Sequence, residues 1–265
     1  MNPVHTLSQE QILTIALFYA DAGIHCLFES PNKTINQSIK THILHQKNVP
    51  IDATSKPIIT LSKTDHLIVQ QASSIARRAR SLIELKSMLS SFHDCPLRNT
   101  ALSTICADNE KADLMIIGYT PSSSDNTTGR ALSGGAGNML DKMLQSIGIA
   151  RTDTCISTIS PWHPPGNRKI SALETEICRP IIRRQLELSS PKILFLLGNQ
   201  TTQFFFNNNQ TISQNYGKWN KIIINNCIIP TLSTVHPQEL LEYPLIKKIA
   251  WHHLISLKKK LDSEF

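Results

Sequence analysis

A chain of 265 residues with 40% hydrophobic and 18% charged residues has enough apolar material for a sizeable core, which excludes a disordered or membrane-embedded polypeptide and makes a metal or disulfide staple unnecessary for folding. Lys and Arg outnumber Asp and Glu by 27 to 20, a modest bias that favours an anionic partner such as nucleic acid over a cationic one.

The first apolar run, residues 12–20, has no basic leader, is flanked by Gln9, Glu10 and Asp21, and is too short to span a bilayer. A cytoplasmic protein without membrane attachment is therefore expected. Leu7, Ile12, Ile15, Ala16 and Tyr19 recur at helical spacing after Ser8, which predicts a short amphipathic helix over residues 7–24. Residues 31–57 are polar and aperiodic and read as a linker. A long helix is predicted from Asp65 to Phe92, carrying Arg77, Arg78 and Arg80 beside an apolar stripe of Leu82, Leu85 and Leu89. The six cysteines, Cys26, Cys95, Cys106, Cys155, Cys178 and Cys227, form no C-x-x-C pair, so no disulfide framework is expected and each reads as a small buried residue.

From Ala112 onward short apolar runs alternate with helical patterns. The runs are residues 114–117, 155–159, 193–197 and 228–232, and the helical patterns cover 136–147, 173–188 and 201–206. Strands buried on both faces and separated by helices make a parallel sheet with right-handed crossovers. The fold expected is α/β, a three-layer α/β/α sandwich around a central parallel four-stranded sheet, with an N-terminal helical extension and its linker over residues 1–90 and the α/β domain over 91–265. Ligands of such sheets sit beyond the carboxyl ends of the strands. The informative positions are then residues 118–122, 158–168, Gly198 and residues 234–239.

Three loops stand at those positions. GYTPSSSDNTTGR (residues 118–130) has the small residues of a ligand-cradling loop, and equally those of an ordinary strand-to-helix turn. HPPGNR (163–168) pairs a rigid Pro-Pro with a glycine and an arginine, a shape that presents donors to phosphate or simply turns the chain. STVHPQELL (233–241) sets His236 directly after the last run and before Pro237.

Taken together the loops resemble the family-four uracil-DNA glycosylases, and more closely the variant common in alphaproteobacteria. The similarity runs from about Cys95 to Leu261, through CPLRNT (95–100), CADNEKADLMIIG (106–118), GRALSGGAGNMLDKML (129–144), PPGNR, ETEICRPIIRRQLELSSPKILFLLG (174–198), GKW (217–219) and VHPQELL. The resemblance implies His236 as the catalytic residue. It implies a base pocket at Gly118, Tyr119, Asp125, Leu132 and Thr158, and contact with the DNA backbone at Gly134, Gly166, Asn167, Arg168 and Pro237.

The departures are specific. Tyr119 stands where the family's first motif has a Glu, Leu132 where it has a Phe that stacks on the flipped uracil, and Thr158 where it has an Asn that reads the uracil edge; Asp125 is the carboxylate nearest the missing Glu. The first motif also has a partial likeness to family-five relatives, which lack that carboxylate and run into Thr-Gly-Arg. Cys95 and Cys178 match two of the family's four iron–sulfur ligands, while Phe92 and Trp162 occupy the other two positions. No metal site and no cofactor are expected, the 4Fe-4S cluster having been lost. The resemblance implies a monomer that binds DNA and excises uracil from it, with a non-catalytic DNA or damaged-base binding module on the same fold as the alternative.

Overall fold

The computed structural model describes residues 62–110, 112–206 and 216–264. The helix expected over residues 7–24 and the linker over 31–57 lie outside them. Five strands form one sheet: β1 (Leu114–Gly118), β2 (Thr154–Thr158), β3 (Ile193–Leu197), β4 (Trp219–Ile224) and β5 (Cys227–Thr234). Their order is β2-β1-β3-β5-β4, and β1, β2, β3 and β5 run parallel, matching the four apolar runs.

The fifth strand was not foreseen. β4 pairs antiparallel with β5 through a hairpin whose turn residues Asn225 and Asn226 have φ of 47° and 65°, as a two-residue turn requires. It occupies the sheet edge, where Asn220 and Lys221 break up the apolar signal.

Alternating side chains of the parallel strands feed two opposite cores. Leu114 and Ile116 of β1, with Ile156, Phe195, Leu197 and Leu232, pack against helices α5 (Gly134–Gln145), α8 (Pro237–Glu242) and α9 (Lys247–Glu264). Met115 and Ile117, with Leu194 and Leu196, pack against α6 (Ala172–Ser189) and the phenylalanines of α7 (Asn199–Phe206). These are the three layers expected for strands buried on both faces.

The long N-terminal helix is broken in two, α1 (Lys63–Arg78) and α2 (Leu82–Ser90). Ala79 leaves helical geometry at φ −63° and ψ 130°, and Ser81 starts the second helix by accepting the N–H of Glu84 at 3.1 Å. The carbonyl of Ala79, freed by the break, accepts two hydrogen bonds from Arg184 of α6, at 3.1 and 2.8 Å. Both helices lie on α6 and share an apolar cluster with Trp162 and Ile177, so residues 62–90 pack directly on the α/β body. The short helices α3 (Pro96–Thr100) and α4 (Ser123–Thr128) complete the described α-helices. No helix among the described residues is long and apolar enough to cross a membrane.

Candidate active site

The carboxyl ends of β1, β2, β3 and β5 bring Gly118, Thr158, Gly198 and Thr234 to one edge of the sheet. Gly118 lies buried at the floor of this edge. A Cβ built there would stand 3.4 Å from Cγ2 of Thr158 and 3.6 Å from Cδ2 of Leu132, so these three expected pocket residues do meet. Leu132 is held in the left-handed region at φ 50°, a conformation that costs an L-residue about 1–2 kcal/mol. Arg151 compensates by clamping the strained turn. It donates to the carbonyls of Ala131 at 2.6 Å and Leu132 at 3.0 Å while pairing with Asp141 at 2.8 Å. Gly137 makes room, because any Cβ at that position collides with the Leu132 carbonyl.

The polar groups expected around this floor are turned elsewhere. Thr158 is fully buried, its hydroxyl donates to the Ser160 carbonyl at 2.7 Å, and it offers a methyl group to Gly118. Tyr119 packs against the apolar clusters on either side of α6, where burial pushes its pKa up. Asp125 is 2% exposed and caps α4. Its carboxylate accepts the N–H of Ser122 at 2.9 Å, and both the N–H and the hydroxyl of Ser133 at 2.6 Å. It ties the start of α5 to the β1 loop. The Ser-x-x-Asp of a capping box at Ser122–Asp125 was legible in the sequence as the signal for this role.

His236 is the N-cap of α8, and Pro237 follows as the first helical residue. Its Nδ1 accepts the backbone N–H of Gln238 at 3.2 Å. A neutral imidazole that accepts at Nδ1 carries its proton on Nε2. Burial pushes its pKa down to about 4, against the opposing pull of Asp125 and Glu242, so the ring is neutral at pH 7 and Nε2–H is a hydrogen-bond donor. Gly198, at φ 86°, lets the ring approach: a Cβ there would lie 3.3 Å from Cβ of His236.

A family model for the uracil DNA glycosylase superfamily matches residues 107–255. The chain belongs to that superfamily. It is 30% identical over 173 residues to the type-4 uracil-DNA glycosylase of Archaeoglobus fulgidus, covering 63% of this chain and 87% of that protein. It is 29% identical over 164 residues to the type-4 uracil-DNA glycosylase of Saccharolobus solfataricus, covering 59% of this chain and 74% of that protein. The corresponding Thermotoga maritima protein is 28% identical over 149 residues, covering 56% of this chain and 76% of that protein.

In this member of the superfamily the remaining expected residues have mixed placements. Gly134 is exposed at the first turn of α5 with φ 61°, and a Cβ there would stand 2.7 Å from the Ser124 hydroxyl. Gly166 and Asn167 are exposed in a tight turn with φ of 65° and 55°. Arg168 is exposed and is held by an ion pair. Its guanidinium forks onto the buried Glu174 at 2.8 and 2.6 Å, and Glu174 in turn accepts the N–H of Ser171 at 2.6 Å. His163, read only as the start of the HPPGNR turn, joins two of the site's loops by donating from Nδ1 to the Pro121 carbonyl at 2.8 Å. Cys95 and Cys178 are fully buried; Cys178, on α6, packs toward the sheet with Met115 and Ile117, and Cys95 lies in the apolar cluster of Phe92 and Trp162, whose rings are 6.2 Å apart. Burial pushes both thiols up, away from the thiolate form.

Proposed function

We propose that this chain is a uracil-DNA glycosylase that works through His236. The observation that carries the reading is the Gln238 bond to Nδ1, which makes Nε2–H a neutral donor at the sheet's ligand edge. A flipped base would enter over Gly118 against the apolar wall of Leu132. As C1′–N1 breaks, the electron pair leaves with the base and negative charge grows on its O2 and O4. A donor fixed before the reaction stabilises such charge by about 3–4 kcal/mol. Water then adds to the sugar cation at C1′, and the proton it gives up passes to the departed uracil anion, with the buried carboxylate of Asp125 adding favourable charge to the site. The exposed turns at Gly134 and Gly166 and the exposed side chain of Asn167 suit phosphate contacts, and exposed Leu241, Tyr243 and Leu245 just after His236 suit a wedge against the opened duplex. The test is release of free uracil from single- and double-stranded DNA by the purified protein.

A second reading is a DNA or damaged-base binding module without chemistry. It is favoured by Tyr119 in place of the first-motif carboxylate and by the Thr158 hydroxyl being committed to Ser160. Tight binding to abasic or uracil-containing DNA with no uracil released would select it.

The iron–sulfur cluster of the family-four enzymes does not fit the side chains around Cys95 and Cys178. Two thiols held in the protonated form and two aromatic rings supply no set of four thiolates. The Trp162 indole N–H is already engaged, donating to the Thr104 hydroxyl at 3.2 Å. In this reading aromatic packing replaces the cluster as the support for the β2 loop.

A further inference from the structure

We infer that Arg151 is a positioning residue that decides which bases the chain accepts, by fixing where Leu132 stands over Gly118; the inference rests on the reading of Leu132 as the wall met by a flipped base. Arg151 itself lies outside the site. It opens the turn Arg151–Asp153 that leads into the amino end of β2, yet its guanidinium reaches the wall beside the carboxyl end of β1.

The path of the side chain is set by α5, on which Gly137 and Asp141 stand one turn apart on the same face. Nη1 of Arg151 lies 3.8 Å from where a Cβ of Gly137 would be and pairs with Asp141 at 2.8 Å, so the guanidinium is laid against the helix where a side chain is missing. Its other nitrogen acts on the backbone. Nη2 donates to the carbonyls of Ala131 and Leu132 at 2.6 and 3.0 Å, which fixes the peptide planes on both sides of the Leu132 Cα. The second of these planes is also gripped at its opposite edge, because its N–H, that of Ser133, donates to Asp125 at 2.6 Å.

Leu132 is thus held at φ 50°, a conformation that persists in a leucine only where the surroundings over-determine it. Released, the residue would return to negative φ and carry its side chain off Gly118. This matters for the base because the polar group nearby is already committed. The Thr158 hydroxyl is bonded to Ser160, and the atoms nearest Gly118 are the Thr158 methyl and Cδ2 of Leu132. A base is then accepted by its fit against two methyl groups, and one of them stands where Arg151 holds it. Pyrimidines that differ in bulk, rather than in hydrogen-bonding pattern, are the substrates that such a wall separates.

The experiment compares Arg151→Met and Arg151→Lys with the parent in the full chain, by methyl NOE spectroscopy and by single-turnover excision of uracil and of 5-halogenated uracils from one oligonucleotide sequence. Methionine removes every donor. Lysine keeps the charge beside Asp141 but has one nitrogen where arginine divides the work between two. In the parent an NOE should join the δ methyl of Leu132 to the γ methyl of Thr158, since both stand over Gly118. It should be lost in Arg151→Met and weakened in Arg151→Lys, and the rate on the halogenated bases relative to uracil should change by about 3-fold or more in each. A residue that only stabilises the fold would lower the melting temperature, leave the methyl contact in place and scale all the rates alike. That result in Arg151→Met, or in Arg151→Lys where the methionine variant does not fold, overturns the inference. If the parent releases no base at all, the glycosylase reading fails, and the NOE alone decides whether Arg151 holds Leu132 in place.

Discussion

Gln238 donates its backbone N–H to Nδ1 of His236 across 3.2 Å, and this one bond decides which ring nitrogen carries the proton. Protonating Nδ1 requires breaking it, which adds to the burial that holds the ring's pKa down to about 4.

The first expectation follows for catalysis. His236→Ala should lower uracil release by about 100-fold or more, the usual cost of one oxyanion donor, with little change in DNA affinity. The acid limb of the wild-type profile that belongs to this residue should lie near pH 4, far below the ordinary histidine value. Wild-type activity that falls away already at about pH 6.5, in a manner abolished by His236→Ala, would contradict a neutral donor.

A second histidine makes stability depend on pH. His253 is 7% exposed, bonds to the Thr234 hydroxyl through Nδ1 at 2.9 Å and sits over Gly217, and burial pushes its pKa down to about 4. The unfolded chain takes up this proton near pH 6.5 and the folded chain only near 4, so between those values the unfolded state binds more protons and folding stability falls as pH is lowered. Above about pH 6.5 the contribution is complete, and below about 4 the loss levels off. Thermal midpoints measured from pH 7 to 4 should decline, and His253→Gln should flatten the decline while lowering the midpoint at pH 7 for want of a well-fitting ring.

Arg168 was expected to touch DNA, yet its guanidinium is bound to Glu174, whose side chain is 5% exposed. Arg168→Ala should therefore act first on stability, by about 1–3 kcal/mol for a buried acceptor left without its charged donor. DNA affinity should fall with salt in both proteins with nearly the same slope, because a phosphate contact from Arg168 is not what is removed. A slope smaller by about one in Arg168→Ala would restore the residue to the phosphate track.

Metal analysis gives a separate check. Protein purified without oxygen should contain no stoichiometric iron or acid-labile sulfide, since only two of the four expected ligand positions, Cys95 and Cys178, carry a thiol and both are fully buried. Iron and sulfide at about four per chain would show that other ligands complete a cluster.

The four parallel strands were legible because each is buried on both faces and so reads as an unbroken apolar run. β4 was hidden because an edge strand is half-exposed, and its Trp219–Ile224 pattern alternates with Asn220 and Lys221. The break at Ala79 was hidden for a different reason. A helical stripe continues across it, while Ser81 caps a new helix and the freed Ala79 carbonyl is taken up by Arg184, 105 residues away. Within the site, position was readable and orientation was not. Gly118, Leu132 and Thr158 meet as the family resemblance implied, while the bond that commits the Thr158 hydroxyl to Ser160 and the pairing of Arg168 with Glu174 are announced by no pattern. The capping-box spacing at Ser122–Asp125 was visible, and it carries a physical meaning that only the N-cap geometry exposes.

Thr158 offers the sharpest test of the pocket's character. If its hydroxyl read the base, replacing it with valine would change which bases are accepted. In the structure that hydroxyl donates to the Ser160 carbonyl at 2.7 Å, and the group nearest Gly118 is the methyl, which valine keeps. Thr158→Val should then cost about 1–3 kcal/mol of stability, from a buried carbonyl that loses its donor. The ratio of uracil excision to excision of other bases should stay within about 3-fold of the parent, well below the loss of discrimination that follows when a true base-reading hydrogen bond is removed. Single-turnover rates on oligonucleotides carrying different bases supply the ratio, and chemical denaturation supplies the stability. A large change in base preference at unchanged stability would mean that the hydroxyl rotates to meet the base, and the pocket would then read its ligand by polarity rather than accept it by shape.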